Sequence, residues 1–226
     1  MKRIVFLGKS KQSSIDAWDW LYRTQGPRFE ATLVVDHREV RPCDLLVSFL
    51  YPRRVPDEVR ARAHLALNFH PAPLPRYRGL WGCSRAILDG AGEFGVTAHE
   101  MVREFDAGCI VAERPVLICR NDTAESLDRR AQEVLLALFK DTVMRHVEGH
   151  ALPLVPQPVV AAPPTRAELQ AKKELFADDD AETVERKARA FWYPPYSGAR
   201  VRLGGEWFTV APHAVAEARS AGKAGA

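Results

Sequence analysis

The chain has 226 residues, 46% of them hydrophobic and 27% charged, the mix of a globular protein able to bury a core. Its 32 basic against 29 acidic residues leave a net charge of +3, too slight to mark a nucleic-acid binder. No stretch approaches the ~20 apolar residues of a membrane span, the apolar run Ile4–Leu7 is shorter than the roughly 7–15 of a secretory leader, and Cys43, Cys83, Cys109 and Cys119 show neither disulfide nor zinc spacing. The expectation is a reduced, cytoplasmic, metal-free protein with no membrane or nucleic-acid partner.

The first half alternates strand-like and helix-like segments. Ile4–Leu7, closed by Gly8, reads as a buried parallel strand. Ser13 or Ser14 is placed to cap a helix with Ile15, Trp18, Leu21 and Tyr22 on its apolar face. Strands follow at Leu33–Asp36 and Leu45–Phe49, then a helix start at Pro56, Asp57 and Glu58, then a strand at Leu65–Phe69. This alternation predicts a parallel sheet with helices on its faces. Beyond a proline-rich loop, Pro71–Pro75, come a helix over Trp81–Leu88 and strands over Val96–Met101 and Ile110–Ile118. Asp122 and Glu125 open a long helix with Leu127, Ala131, Val134, Leu135 and Leu138 on one face, ended by Gly149.

Residues 151–164 contain five prolines, so the chain is extended there. Two short helices, about 165–176 and 180–191, precede a β-hairpin over Ala199–Val210 that turns on Gly204-Gly205. The Ala-rich last dozen residues are expected to fray. The organisation expected is a domain over 1–152, a connector over 153–164, and a small helical and hairpin region over 165–226.

Two stretches carry chemistry. Asn68 and His70 stand two apart at a strand end, so both side chains point to one side, and in an open α/β sheet the carboxyl ends of strands line the ligand crevice. Alone, this pair more often makes a hydrogen-bonded turn with a buried histidine. Asp106-Ala107-Gly108 marks a tight turn between strands, where an aspartate ordinarily serves the turn, and His99 lies in a strand pattern that favours a structural role. Together the blocks Asn68-Phe69-His70-Pro71-Ala72-Pro73-Leu74-Pro75-Arg76-Tyr77-Arg78-Gly79, Gly95-Val96-Thr97-Ala98-His99 and Asp106-Ala107-Gly108-Cys109-Ile110 say more. In order and spacing they resemble the formyltransferases that use N10-formyltetrahydrofolate, well over residues 40–150 and loosely before that.

The resemblance implies a Rossmann-like α/β domain with a parallel-rich twisted sheet, and it implies roles. Asn68, His70 and Asp106 match the family's catalytic Asn, His and Asp. The stretch Ser48–Pro52 matches the backbone that holds the folate's pterin ring, giving Phe49, Leu50, Tyr51, Arg54 and Val55, with Phe105 and Asp106 closing that pocket. Leu74-Pro75 is a place where the family often carries a cis proline. The wording of the chain, including Phe191-Trp192-Tyr193-Pro194-Pro195-Tyr196, is most similar to sugar N-formyltransferases acting on nucleotide-linked amino-dideoxyhexoses, such as dTDP-4-amino-4,6-dideoxyglucose, in lipopolysaccharide O-antigen synthesis.

The aromatic run reads as a stacking surface for a base, through Trp192, Tyr193 and Tyr196, or as the core of a small domain. Arg76, Tyr77 and Arg78 follow the catalytic block, and Arg78 is placed to reach a phosphate or a sugar hydroxyl. Lys9 joins this substrate set, with a solvated loop lysine as its alternative. Trp20 and Trp81 read as core or pocket wall. By the same resemblance the hairpin pairs two subunits into a homodimer. Methionyl-tRNA formyltransferase shares the motifs on a longer chain with a further domain, glycinamide ribonucleotide transformylase has a glycine-rich phosphate loop that Gly8–Gln12 does not match, and a non-catalytic nucleotide-sugar binder is the alternative from another class.

Overall fold

The computed structural model describes residues 1–216, so the end of the Ala-rich tail lies outside the described residues. In chain order the first elements are β1 (Lys2–Leu7), α1 (Gln12–Thr24), β2 (Phe29–Val34), β3 (Cys43–Phe49), α2 (Asp57–Arg60) and β4 (Ala63–His70). Then come α3 (Gly82–Leu88), β5 (Glu93–Glu100), β6 (Ile110–Leu117), α4 (Ala124–Val147) and α5 (Arg166–Ala171). The last are β7 (Glu174–Leu175), α6 (Ala181–Phe191), β8 (Ala199–Leu203) and β9 (Glu206–Val210). Two compact units form: one from 1–78, 95–116 and 131–161, the other from 79–94, 117–130 and the chain from Ala162 onward. The second unit therefore takes in two stretches of the first 150 residues.

The first unit is built on a six-stranded sheet of order β2-β1-β3-β4-β5-β6. Strands β1 to β4 are mutually parallel, and β5, inside the β6 edge, runs antiparallel to β4, so the sheet is Rossmann-like with a reversed strand. Both faces of β1 are buried, which explains its unbroken apolar run. Phe6, Phe49 and Phe69 meet Phe139 of α4 at ring-centroid distances of 5.8, 5.4 and 5.2 Å, each edge to face. Burying such rings contributes roughly 1.5–3 kcal/mol apiece, with about 0.5–1.5 kcal/mol more per well-placed pair. The opposite face packs Val5, Leu7, Val34, Val40, Leu46, Val55 and Val59 together.

The cap of α1 differs from expectation. The helix begins at Gln12 with no side-chain cap, and Ser14, Ala17 and Leu21 form its buried stripe, while Ile15 and Tyr22 are exposed. The serines serve tertiary contacts instead. Ser14 Oγ accepts the Lys9 N–H and donates to the Phe49 carbonyl, and Ser13 Oγ donates to Gln132 of α4. A side chain at Gly8 would stand 2.8 Å from Ser14 Oγ and 2.7 Å from the Phe6 ring, so only glycine lets β1 turn so closely into α1.

In the second unit α3 packs on α6, and β7, β8 and β9 form a small sheet. The hairpin turns on Gly204 and Gly205, both at positive φ (57° and 89°), as a two-residue connection requires. Strand β7, only two residues long, falls where the sequence reads as helix. The α4 start also shifts by one residue. Thr123 and Ser126, rather than Asp122 and Glu125, exchange the reciprocal capping bonds, Thr123 Oγ1 accepting from Ser126 N and Ser126 Oγ from Thr123 N. Asp122 is buried and bonded to Cys119 N, Ser126 Oγ and the Arg130 guanidinium. Lys173, also buried, lies 5.0 Å from the Trp81 ring centre and donates to the Ser197 carbonyl; burial, and Arg200 nearby, depress its pKa.

Candidate active site

Strand β4 ends in Asn68 and His70, whose side chains leave the sheet on one side while Phe69 between them packs on Phe139. Register brings further groups to this end. Ser48 pairs with Asn68 from β3, and His99 and Thr97 of β5 stand opposite Asn68 and His70. The Ser48 hydroxyl donates to Asn68 Oδ1 at 2.7 Å, and Asn68 Nδ2 lies 3.0 Å from His99 Nε2. His99 Nδ1 faces the Glu100 carbonyl at 2.8 Å, which only accepts, so Nδ1 carries the hydrogen and Nε2 the lone pair that Asn68 fills. The amide of Asn68 is thus oriented from both ends.

His70 is oriented in the same way. Its Nε2 lies 3.1 Å from the Tyr77 carbonyl and must donate to it, so in the neutral ring the lone pair sits on Nδ1. Asp106 Oδ2 is 3.6 Å from that Nδ1, and Asp106 Oδ1 is 3.4 Å from His99 Nε2. At such separations charge attraction or a bridging water, rather than a direct hydrogen bond, links the groups. The side chains of His70 and Asp106 are each only 10% exposed, so the attraction is screened less than at a surface. A proton arriving on His70 Nδ1 therefore meets a carboxylate.

Two backbone features hold this geometry. Asp106 lies in the left-handed region at φ 52°, unusual for a residue other than glycine, and a side chain at Gly108 would stand 2.1 Å from the Glu100 carbonyl oxygen. The proline loop after His70 is pinned by Thr97, whose hydroxyl accepts the Leu74 N–H and donates to the Ala72 carbonyl. Leu74–Pro75 is cis, in line with expectation.

The residues expected around the folate divide by depth. Phe49 and Val55 are core side chains. Tyr51 packs on the same apolar cluster as Val55 and takes the His37 N–H on its hydroxyl, while Arg54 donates to the Arg103 carbonyl. Leu50, just past the end of β3, lies in the left-handed region with φ 56°. Phe105 is exposed beside Asp106.

Two members of the substrate set have partners within the fold. The Tyr77 ring is fully buried, so Tyr77 serves the site through its carbonyl. Arg78, expected at a phosphate, gives Nε and Nη2 to the Phe105 carbonyl, at 3.1 and 2.7 Å. Arg76 lies over the Tyr77 ring, and Lys9 is exposed after β1, on the same sheet edge. Trp192, Tyr193 and Tyr196 belong to the second unit. There the Tyr193 hydroxyl donates to Asp128 at 2.6 Å, and burial together with that carboxylate raises its pKa. Tyr196 is exposed, its ring centre 5.8 Å from that of Tyr193.

Two side chains join the site beyond the three expected: His99, read as structural, and Ser48, expected only as part of the folate-holding backbone. Their signal is register: in antiparallel β4 and β5, Asn-x-His faces Thr-x-His. Among the described residues no group of three His, Cys, Asp or Glu side chains is placed to hold a metal, and no helix is long and apolar enough to cross a membrane.

A parallel-rich sheet whose carboxyl edge gathers an oriented amide, two imidazoles and a carboxylate defines an α/β protein of the group-transfer type. Its family follows from comparison. The chain belongs to the formyl transferase family, whose model matches residues 10–143. A methionyl-tRNA formyltransferase from Paraburkholderia phymatum is 32% identical over 179 residues, 78% of this chain and 54% of the relative. The chain spans about half the length of the curated relatives it matches. Among solved structures, a 4-N formyltransferase from Francisella tularensis is similar with TM-score 0.83 at 16% identity, over 93% of this chain and 96% of that one. An N-formyltransferase from Helicobacter canadensis, in complex with folinic acid and dTDP-3-aminofucose, has TM-score 0.76 at 17% identity, over 91% and 85%. At these identities the likeness establishes the fold.

Proposed function

We propose that the protein transfers the formyl group of N10-formyltetrahydrofolate to the amino group of a nucleotide-linked amino-dideoxy sugar. The observation that carries formyl transfer is the Asn68–His70–Asp106 cluster with its oriented lone pair. The donor supplies an activated formyl group, and the chain's residues handle charge and protons. The amine attacks in its neutral form, and its proton passes to His70 Nδ1, a step of general-base type worth roughly 10²–10⁴-fold. Asp106 stabilises the imidazolium. One Asn68 N–H is engaged by His99, and the other donates to the formyl oxygen as negative charge gathers there, a contribution of about 2.7–4 kcal/mol. Protonation of the departing folate nitrogen completes the balance, with His70 as the returning acid.

The sugar acceptor is supported by likeness along nearly the full length of both chains to the Francisella protein, and by the folate and dTDP-sugar bound together in the Helicobacter protein. The second reading, methionyl-tRNA as acceptor, is favoured by the higher identity to the tRNA enzymes. In the sugar reading the folate lies on the backbone at Leu50 and Tyr51, and Arg76 and Lys9 serve the nucleotide. The product is then a formamido sugar for a surface glycan such as an O-antigen, made in the cytoplasm. Mass spectrometry of a panel tests this: dTDP- and GDP-linked amino sugars, glycinamide ribonucleotide and Met-tRNA, each with the formyl donor. The reading expects a product one formyl group heavier from a sugar nucleotide; formylation of Met-tRNA alone would replace it.

A further inference from the structure

We infer that Gln157, in the proline-rich segment after α4, is a positioning residue for the reaction: its amide clamps the turn carrying Asp106. The inference rests on the proposed pairing of Asp106 with His70. Gln157 Nε2 donates to the carbonyls of Asp106, at 3.1 Å, and Gly108, at 2.6 Å. Two carbonyls can be satisfied only by the amide's NH₂ group, so the side chain has one workable orientation.

The segment is itself anchored. Val155 exchanges both backbone hydrogen bonds with Ile110, the residue that starts β6, at 2.8 and 2.9 Å. Pro156 and Pro158 flank Gln157 and limit the backbone freedom on either side. The turn needs such a hold. Asp106 occupies a left-handed conformation, which costs energy outside glycine though less for aspartate than for most residues. Gly108 is pressed against Glu100, and Arg78 takes the Phe105 carbonyl. With Gln157 on the carbonyls of 106 and 108 and Arg78 on that of 105, the turn is gripped at three points. Its carboxylate is thereby set between His70 and His99. A displacement near 1 Å at such a group lowers rate by up to about 10²-fold.

Gln157→Met keeps the volume and removes both donors; Gln157→Asn keeps the donors on a stem shorter by one methylene. The test compares both with wild type and Asp106→Asn. Histidine NMR titration of the full chain follows the imidazole of His70 without any need to know the acceptor. The groups facing the His70 ring include Asp106, the Tyr77 carbonyl and the His99 imidazole, 6.4 Å away between ring centres, with Arg78 beyond the turn. Drift of the carboxylate in Gln157→Met lowers the His70 imidazole pKa toward that of Asp106→Asn, by roughly half a unit or more, with the melting temperature near wild type and Gln157→Asn intermediate. On the formylated acceptor of the panel, kcat falls about tenfold or more while KM stays within about twofold. A wild-type His70 pKa in Gln157→Met, alongside a lowered one in Asp106→Asn, would overturn the clamp, as would a loss of melting temperature with that value unmoved. An unchanged value in Asp106→Asn itself would instead sink the pairing on which the clamp depends.

Discussion

Asn68 shows how much a single side chain depends on its neighbours. An asparagine amide is useful to a developing oxyanion only if its NH₂ end faces the right way, and here Ser48 and His99 settle that from opposite sides. Replacing Asn68 by Ala is expected to lower kcat by about 10²–10³-fold with the fold intact. Ser48→Ala leaves the amide in place but removes one of its two guides. The expected loss is milder, near one hydrogen bond's net worth of about 1 kcal/mol, or roughly fivefold in kcat. Steady-state rates and melting curves for both variants check this, and equal losses would mean that Ser48 touches the reaction more directly. Asn68, His70 and Asp106 were legible through resemblance to a known family, because they lie in contiguous, distinctive blocks that the resemblance could match. Ser48 and His99 were not, since their part depends on which strands lie side by side.

Among the elements, the start of α4 shows how local rules compete. Asp122 followed by Glu125 satisfies the sequence pattern for a cap, yet Thr123 and Ser126 make the cap and Asp122 is drawn inward to Arg130. Burial opposes the charge of Asp122, but the Arg130 guanidinium, the Cys119 N–H and the Ser126 hydroxyl outweigh it and hold its pKa below the usual carboxylate value. A carboxyl whose pKa is depressed by folding stabilises the fold fully above its unfolded pKa of about 4. That contribution fades as the pH falls through the folded value. Wild type should therefore lose melting temperature below about pH 4, and Asp122→Asn should show a lower melting temperature at neutral pH with a shallower acid slope. Parallel slopes in the two proteins would remove Asp122 from the acid response.

For the whole molecule, the open question is assembly. Among the described residues, hairpin strand β9 is the edge of its sheet, paired with β8, and it exposes Trp207 and Phe208, with Leu203 exposed on β8. A two-stranded ribbon with apolar residues in water is marginal alone and suited to pairing with a second copy. We propose a homodimer formed through this hairpin. Light scattering after size exclusion should give twice the chain mass of 25.3 kDa, and Phe208→Glu should return it to one. A wild-type monomer at micromolar concentration would end that proposal.

The sequence by itself determined the class of fold and the three polar positions. Alternating apolar runs, helical stripes and glycine stops are local signals, and the Asn-x-His and Asp-x-Gly blocks are contiguous. Only the tertiary structure decided that Ser14 ties a loop rather than caps a helix, that Arg78 and Gln157 hold the Asp106 turn, and that His99 stands beside the carboxylate. Each of these rests on contacts between residues far apart along the chain. Strand register and the demand that buried carbonyls find donors set them, and neither leaves a local pattern to read.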